Sequence, residues 1–264
     1  MEGSSGTMSA KLDELMKHYD LIAGEYDERY HSGIEAKIRN QIIFSTLESM
    51  FLGKPKRILD VAGGTGFYSI PFAKRGHMVV ILDISPRMLN KAIENARKND
   101  VLQRVNIVQG SMDQLCFHDG CFDAILCHLA FGYAEPLKTL REFVRVLVKG
   151  GILSLTVANK GFHIIREALR ADFSEAQRIL QTEIFLQSPA GIPLIRTFTK
   201  EEIVSFCVAA GFKVLVIKGV RIISDYLPEL PKDTEILESL EMRLSELLDC
   251  VPLSRHIHVV CKKN

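Results

Sequence analysis

The stretch ILDVAGGTGFY, Ile58 to Tyr68, decides how the chain is read. An apolar run carries one acid, Asp60, and a loop of small residues follows before an amphipathic segment begins. Strand, glycine loop, helix is the opening unit of a parallel α/β sheet. Strands and helices alternate outward from it. RILDVA is a strand, FYSIPFAKRG a short helix ended by Gly76, and HMVVILDIS a second strand. Pro86 to Asn99 is a helix with proline in its first turn, RVNIVQG a third strand and CFDAILCHLAF a fourth. Pro136 to Val148 reads as a helix closed by Gly150-Gly151, with ILSLTVAN as a fifth strand. Near-continuous apolar runs such as MVVILDI fit strands covered on both faces. Right-handed crossovers then build a doubly wound sheet.

The flanks depart from this rhythm. Lys11 to Tyr30 is helix-compatible with a break at Gly24, and Ile34 to Met50 carries Ile34, Ile38, Ile42 and Leu47 on one face. Gly53-Lys54-Pro55 punctuates the chain. Gly161 to Gln181 reads as a helical insertion leading into the loop LQSPAGIPLIRTF. TKEEIVSFCVAAGF is a helix capped by Thr199, KVLVIKGVRII a sixth strand, Asp233 to Leu248 a long helix and RHIHVVCKK the last strand. The expected fold is therefore α/β: a doubly wound, Rossmann-like, seven-stranded, mostly parallel sheet with helices on both faces. Its expected parts are a flexible leader (1–10), an N-terminal helical lid (11–52), a core (53–160), a helical insertion capping the substrate (161–198) and the C-terminal part of the core (199–264).

The 264 residues carry 33 basic and 32 acidic side chains, a net charge of +1, which supplies no global attraction to nucleic acid or anionic membrane. The six cysteines form no C-x-x-C pair and no zinc-like spacing, and read as buried reduced thiols. MEGSSGTMSA lacks the apolar region of a signal peptide, and no run is long enough to span a membrane. A cytoplasmic protein with no metal is expected.

Three ligands compete for the loop DVAGGTG. A P-loop needs Lys-Ser/Thr after its last glycine, and none follows Gly66. A dinucleotide fingerprint needs G-x-G-x-x-G, and here Phe67, Tyr68 and Ser69 follow Gly66. The third ligand has ribose and adenine but no phosphate. Gly63, Gly64 and Gly66 offer close backbone approach, Asp60 attracts an ammonium group, and Asp83, at the end of the second strand, accepts both ribose hydroxyls. No basic residue lies in the loop to neutralise a pyrophosphate. S-adenosylmethionine fits best.

With those residues in view, the chain resembles class I S-adenosylmethionine-dependent methyltransferases, particularly the ubiquinone/menaquinone-biosynthesis branch. LDVAGGTG is similar to that branch's first motif, with Ala62 where many relatives carry glycine, and HYDLIAGEYDERY to its N-terminal tyrosine-aspartate motif. IEAKIRNQII, LSLTVANKGFHIIREALRADFSEA, GVRIISDYLPE and LSRHIHVVCKK resemble bacterial tRNA 5-carboxymethoxyuridine methyltransferases and their uncharacterised relatives. The resemblance implies that Arg39 holds the cofactor carboxylate, that Ile84 and Met88 lie beside Asp83, that Ser111 and Met112 flank the adenine, and that His128 sits beside the cofactor. It also implies that Tyr19 and Tyr26 belong to a lid, with Tyr26 reaching the cofactor. The tRNA enzymes carry a lysine-rich segment where this chain has TEIFLQSPAGIPLIRTF, so tRNA is disfavoured by charge but stays open.

Several residues keep two readings. Asp113 either lies near the adenine or caps a helix. His128 is the candidate base if the acceptor is a hydroxyl or amine; a carboxylate acceptor needs none. Tyr19 and Tyr26, seven apart, fall on similar helix faces. Arg221 clamps an anionic substrate or pairs with Asp225. Tyr19, Tyr26, Phe131, Asn159, Arg221 and Tyr226 are assigned to the substrate pocket, while His256 and His258 read as an edge-strand pair. N-P-P-Y and a Pro-Cys nucleophile, which would mark two nucleic-acid classes, are absent. The expected activity is methyl transfer to a small-molecule acceptor. A tRNA wobble-carboxylate methyltransferase and a non-methylating cofactor-binding protein are the rivals.

Overall fold

Parallel strands cannot be joined by tight turns, so the strands at the centre of this chain are separated by crossovers that cover the sheet. The computed structural model describes residues 8–51, 56–181, 185–186 and 195–264. Most of the expected leader, the Gly53-Lys54-Pro55 punctuation and the middle of LQSPAGIPLIRTF lie outside the described residues. The elements are α1 (Met8–Ile22), α2 (Tyr26–His31), α3 (Gly33–Met50), β1 (Arg57–Val61), α4 (Ile70–Lys74), β2 (Met78–Asp83), α5 (Pro86–Lys98), β3 (Val105–Gln109), β4 (Phe122–His128) and α6 (Pro136–Val146). They continue with β5 (Leu147–Ala158), α7 (Lys160–Leu169), α8 (Phe173–Gln181), the short pair β6 (Phe185–Leu186) and β7 (Ile195–Arg196), α9 (Lys200–Ala209), β8 (Phe212–Val220), α10 (Glu235–Leu244) and β9 (His256–Lys263).

The seven-stranded sheet has the order β3-β2-β1-β4-β5-β9-β8. β9 runs antiparallel to both its neighbours, and the other pairings are parallel. Strand order reverses between β1 and β4, so a crevice opens there at the carboxyl ends of the strands. Local chemistry sets the helix starts. Ser85 accepts the Met88 N–H with Pro86 behind it, Glu135 accepts from Leu137 and Lys138, and Thr199 with Glu202 forms a capping box. One sheet face packs Phe131, Phe143 and Phe198 with β4, β5 and β9 into a single core. The other packs Ile43 and Leu47 of α3 and Phe72 of α4 against β1 and β2.

Four details differ from expectation. Gly150 and Gly151 do not close a helix: α6 ends at Val146, and the glycines lie within β5 where its register on β4 jumps from Phe122↔Leu147 to Ala124↔Ile152. Gly150, at φ 75°, supplies the left-handed turn that this bulge requires. The insertion is two helices, broken where Ala171 takes φ 61°. The last helix ends at Leu244, before a 3-10 segment, Leu248–Leu253, that contains Pro252. His256 and His258 lie on an interior strand between β5 and β8, so the edge-strand reading falls. Cys127, Cys207 and Cys261 are buried thiols as expected, whereas Cys116 is exposed. Among the described residues no helix is long and apolar enough to cross a membrane, and no group of three His, Cys, Asp or Glu could hold a metal ion.

Candidate active site

Three residues that directly follow strands hold left-handed backbone: Ala62 after β1 at φ 52°, Leu129 after β4 at 64° and Arg221 after β8 at 62°. Non-glycine residues rarely adopt this conformation, and such strain collects at ligand sites. All three line one of two adjoining cavities.

The first cavity lies beneath α1 and α2. Its floor is Ala62 and Gly64 after β1, Asp83 at the end of β2 with Ile84 after it, Met88 of α5, Ser111 to Asp113 after β3, and His128 at the end of β4. Asp83 accepts the Gly64 N–H on Oδ2 and the Ser85 N–H on Oδ1, both at 2.9 Å, leaving a lone pair on each oxygen for a ligand. Burial pushes its carboxyl up to about 6. Leu12, Leu15, Leu82 and Met112 make much of the wall apolar, and among the described residues no lysine or arginine lines it. This donor set fits an uncharged base with a ribose diol and does not fit a pyrophosphate.

Not every expected residue reaches this cavity. A Cβ on Gly63 would meet Asp60 and Ile81, and one on Gly66 would meet Ile81 and Ile70. Those two glycines serve packing, and of the loop's three glycines Gly64 faces the cavity. Asp60 lies beneath the loop, fully buried, with Oδ2 unpartnered, and burial raises its carboxyl to about 7. Arg39 is buried rather than solvent-exposed; it donates to the Tyr30 carbonyl at 2.6 Å and to the Tyr68 hydroxyl at 3.1 Å, and it lines the second cavity. Asp113 caps no helix; it accepts the Thr139 hydroxyl and lines the first cavity.

His128 is held from two sides. Its Nδ1 lies 2.7 Å from Thr156 Oγ1 and its Nε2 3.4 Å from Ser154 Oγ, and Ser154 is bonded in turn to His258 Nε2 at 2.8 Å. Burial first, then His258 and Arg39, hold its pKa well below the usual histidine value, so the ring is neutral. With both nitrogens turned to hydroxyls, the ring is a placed wall and is poorly set to act as a base.

The second cavity lies between the lid and the C-terminal strands. Arg39, Arg166, Arg221 and Arg255 line it with His163 and His256, against Glu35 as the one acid among the described residues. Arg221 and Arg255 share the Asp225 carboxylate, so the clamp and the ion pair are one cluster. Burial pushes the Arg221 guanidinium down to about 10. His163 and Arg255, far apart in sequence, carried no local signal. Tyr19, Tyr26 and Leu129 line both cavities. The two tyrosines stand on separate helices, not on one helix face, with ring centroids 6.1 Å apart.

Three expected pocket residues are structural. Phe131 is fully buried in the main core, and Tyr226 donates to the Leu253 carbonyl. Asn159 caps α7 through Gly161 N–H and donates to the carbonyls of Val251 and Ser254 at 2.8 and 2.6 Å. Replacing Asn159 by alanine is expected to cost about 2–3 kcal/mol, seen as a lower melting temperature with unchanged cofactor affinity.

The methyltransferase-domain family model matches residues 59–155, from β1 to within β5. A tRNA 5-carboxymethoxyuridine methyltransferase of Escherichia coli is 26% identical over 263 residues, covering 94% of this chain and 96% of the relative. A demethylmenaquinone methyltransferase of Bacteroides fragilis is 31% identical over 159 residues, 57% of this chain and 63% of the relative. The chain is an S-adenosylmethionine-dependent methyltransferase. S-adenosylmethionine is its methyl donor. Solved structures share the fold of this methyltransferase. A Burkholderia thailandensis 1,6-didemethyltoxoflavin N1-methyltransferase matches with TM-score 0.62 at 16% identity, covering 100% of this chain and 93% of that one. The [4+2]-cyclase SpnF matches with TM-score 0.65 at 19% identity, covering 94% of each chain.

Proposed function

We propose that this methyltransferase seats its donor in the first cavity, against Asp83, and a small anionic acceptor in the second. The observation that carries this reading is the common wall: Tyr19, Tyr26 and Leu129 line both cavities, so the two ligands meet there. Bound S-adenosylmethionine supplies a methyl group already activated on a sulfonium. The chain's own task is alignment and exclusion of water. Asp83 orients the ribose, Gly64 and Ala62 admit it closely, Ser111 and Met112 border the adenine, and the lid tyrosines cover the junction. Arg221 and Arg255 anchor the acceptor's anionic group, with Asp225 keeping the two guanidiniums together. His128 turns both ring nitrogens to hydroxyls, which suits an acceptor whose nucleophile is ionised at neutral pH.

The test is formation of S-adenosylhomocysteine with a panel of small carboxylates and phosphates. Removing one arm of a charge-assisted pair costs roughly 1.5–3 kcal/mol, so Arg255→Ala is expected to raise the acceptor KM about 10- to 100-fold while donor affinity holds. No turnover with any anionic acceptor would sink the proposal. The length of the E. coli relative's match favours a second reading, a tRNA wobble carboxylate as the anion. That reading requires acceptor binding to weaken steeply with salt, whereas a small acid gives a shallow slope.

A further inference from the structure

We infer that Asp20 and Asp27, the acidic halves of a repeated Tyr-Asp pair, are positioning residues that hold Tyr19 and Tyr26 as the wall between the cavities and so set how long the donor and its product stay bound. The inference rests on the seating of the donor proposed above. The pairs Tyr19-Asp20 and Tyr26-Asp27 fall on different helices, yet each works alike: the tyrosine lines the cavities and the aspartate reaches a core loop.

The two aspartates grip different loops. Asp20 Oδ1 accepts the Ser85 hydroxyl at 2.5 Å and the Arg87 N–H at 3.2 Å, which places its carboxylate at the N-terminus of α5. Ser85 directly follows Ile84 of the first cavity, and its Oγ also accepts the N–H of Met88, another cavity residue. Asp27 accepts the Thr65 hydroxyl on Oδ1 at 2.5 Å and the Asn95 amide on Oδ2 at 2.9 Å. Asn95 also donates to the Thr65 carbonyl, so lid, glycine loop and α5 meet at one point. The latches thus close on the two loops that carry Gly64 and Asp83. A weaker link joins the Tyr19 and Tyr133 hydroxyls at 3.3 Å.

Leu12, Leu15 and Tyr19 of α1 and Tyr26 of α2 roof the first cavity, so lifting the lid opens a way out for the ligand. Bonds that exist in the closed state and are absent from the open state slow departure and leave arrival nearly untouched. The experiment follows bound radiolabelled S-adenosylhomocysteine, chased with excess unlabelled ligand, on the full chain and on Asp20→Ala, Asp27→Ala, Thr65→Val and the Asp27→Ala/Thr65→Val double variant. Each single variant is expected to speed release at least tenfold, with the association rate within threefold of the unmutated chain. Asp27 and Thr65 act through one bond, so the double variant should release little faster than Asp27→Ala alone. Release rates within twofold of the unmutated chain in both aspartate variants, with only melting temperature lowered, overturn the latch. If the unmutated chain, freed of carried-over ligand, binds no S-adenosylhomocysteine, the seating of the donor itself falls and the latch falls with it.

Discussion

Asp83→Ala is expected to weaken S-adenosylmethionine and S-adenosylhomocysteine binding by about a hundredfold or more. The carboxylate has one lone pair left on each oxygen after accepting from Gly64 and Ser85, and each charge-assisted hydrogen bond to a ribose hydroxyl contributes roughly 1.5–3 kcal/mol. The alanine variant also strips the acceptor from two backbone N–H groups of the loops that shape the cavity. Asp83→Asn separates the two effects: an amide turns one N–H toward a backbone N–H it cannot accept from, so an intermediate loss is expected. Because burial raises this carboxyl to about 6, affinity in the unmutated chain should fall as pH drops through that value. Calorimetry from pH 5 to 8, with melting curves to show that each variant is folded, makes the measurement. An alanine variant that binds within threefold of the unmutated chain would exclude Asp83 from the donor site.

What the sequence revealed and what it hid divide along a physical line. Alternating apolar runs, Pro86 and Pro136 at helix starts, and the Thr199 cap act within a few residues of themselves, and they led to the right elements. That Asp83 lies in the crevice was legible because a strand end in a doubly wound sheet faces it whatever the rest of the chain does. The roles of Gly63 and Gly66 were not legible, since only packing shows that their missing Cβ atoms make room for Asp60, Ile70 and Ile81. Phe131 and Asn159 follow strand ends too, yet one turns into the core and the other ties α7 to the 248–253 segment. The placement of β9 between β5 and β8 depends on tertiary pairing that no local pattern encodes, and it moves His256 from an edge to a cavity wall. The basic cluster of the second cavity gathers His163 of α7, Arg221 after β8 and Arg255 before β9, so no spacing announces it.

Asp60→Asn is expected to stabilise the ligand-free chain at pH 8 and to weaken donor binding. Burial is the main cause that lifts this carboxyl from 3.8 to about 7; a Ser69 hydrogen bond pulls it back and Asp83 pushes it further up. The sign follows from linkage: in the window between those values the folded state holds a proton that the unfolded state has lost. Stability therefore falls as pH rises through the window, and the loss is complete above about 7. Asparagine does not ionise, so the variant should gain roughly 2–4 kcal/mol at pH 8, on the order of 5–10 °C in melting temperature, and almost nothing at pH 4. A buried carboxylate with an unpartnered Oδ2 is costly to keep, and its place beneath the glycine loop supplies the reason. Asp60 lines neither cavity, so a donor's ammonium group would act on it across the glycine loop; that charge favours the ionised form, and donor binding near pH 7 should release part of a proton from Asp60. Calorimetry in buffers of different ionisation heat detects that release, and the asparagine variant should lose most of it together with about tenfold in affinity. A variant no more stable than the parent at pH 8 would show that Asp60 ionises without cost. Full proton release in the variant would assign the proton to another group and show that Asp60 does not sense the donor.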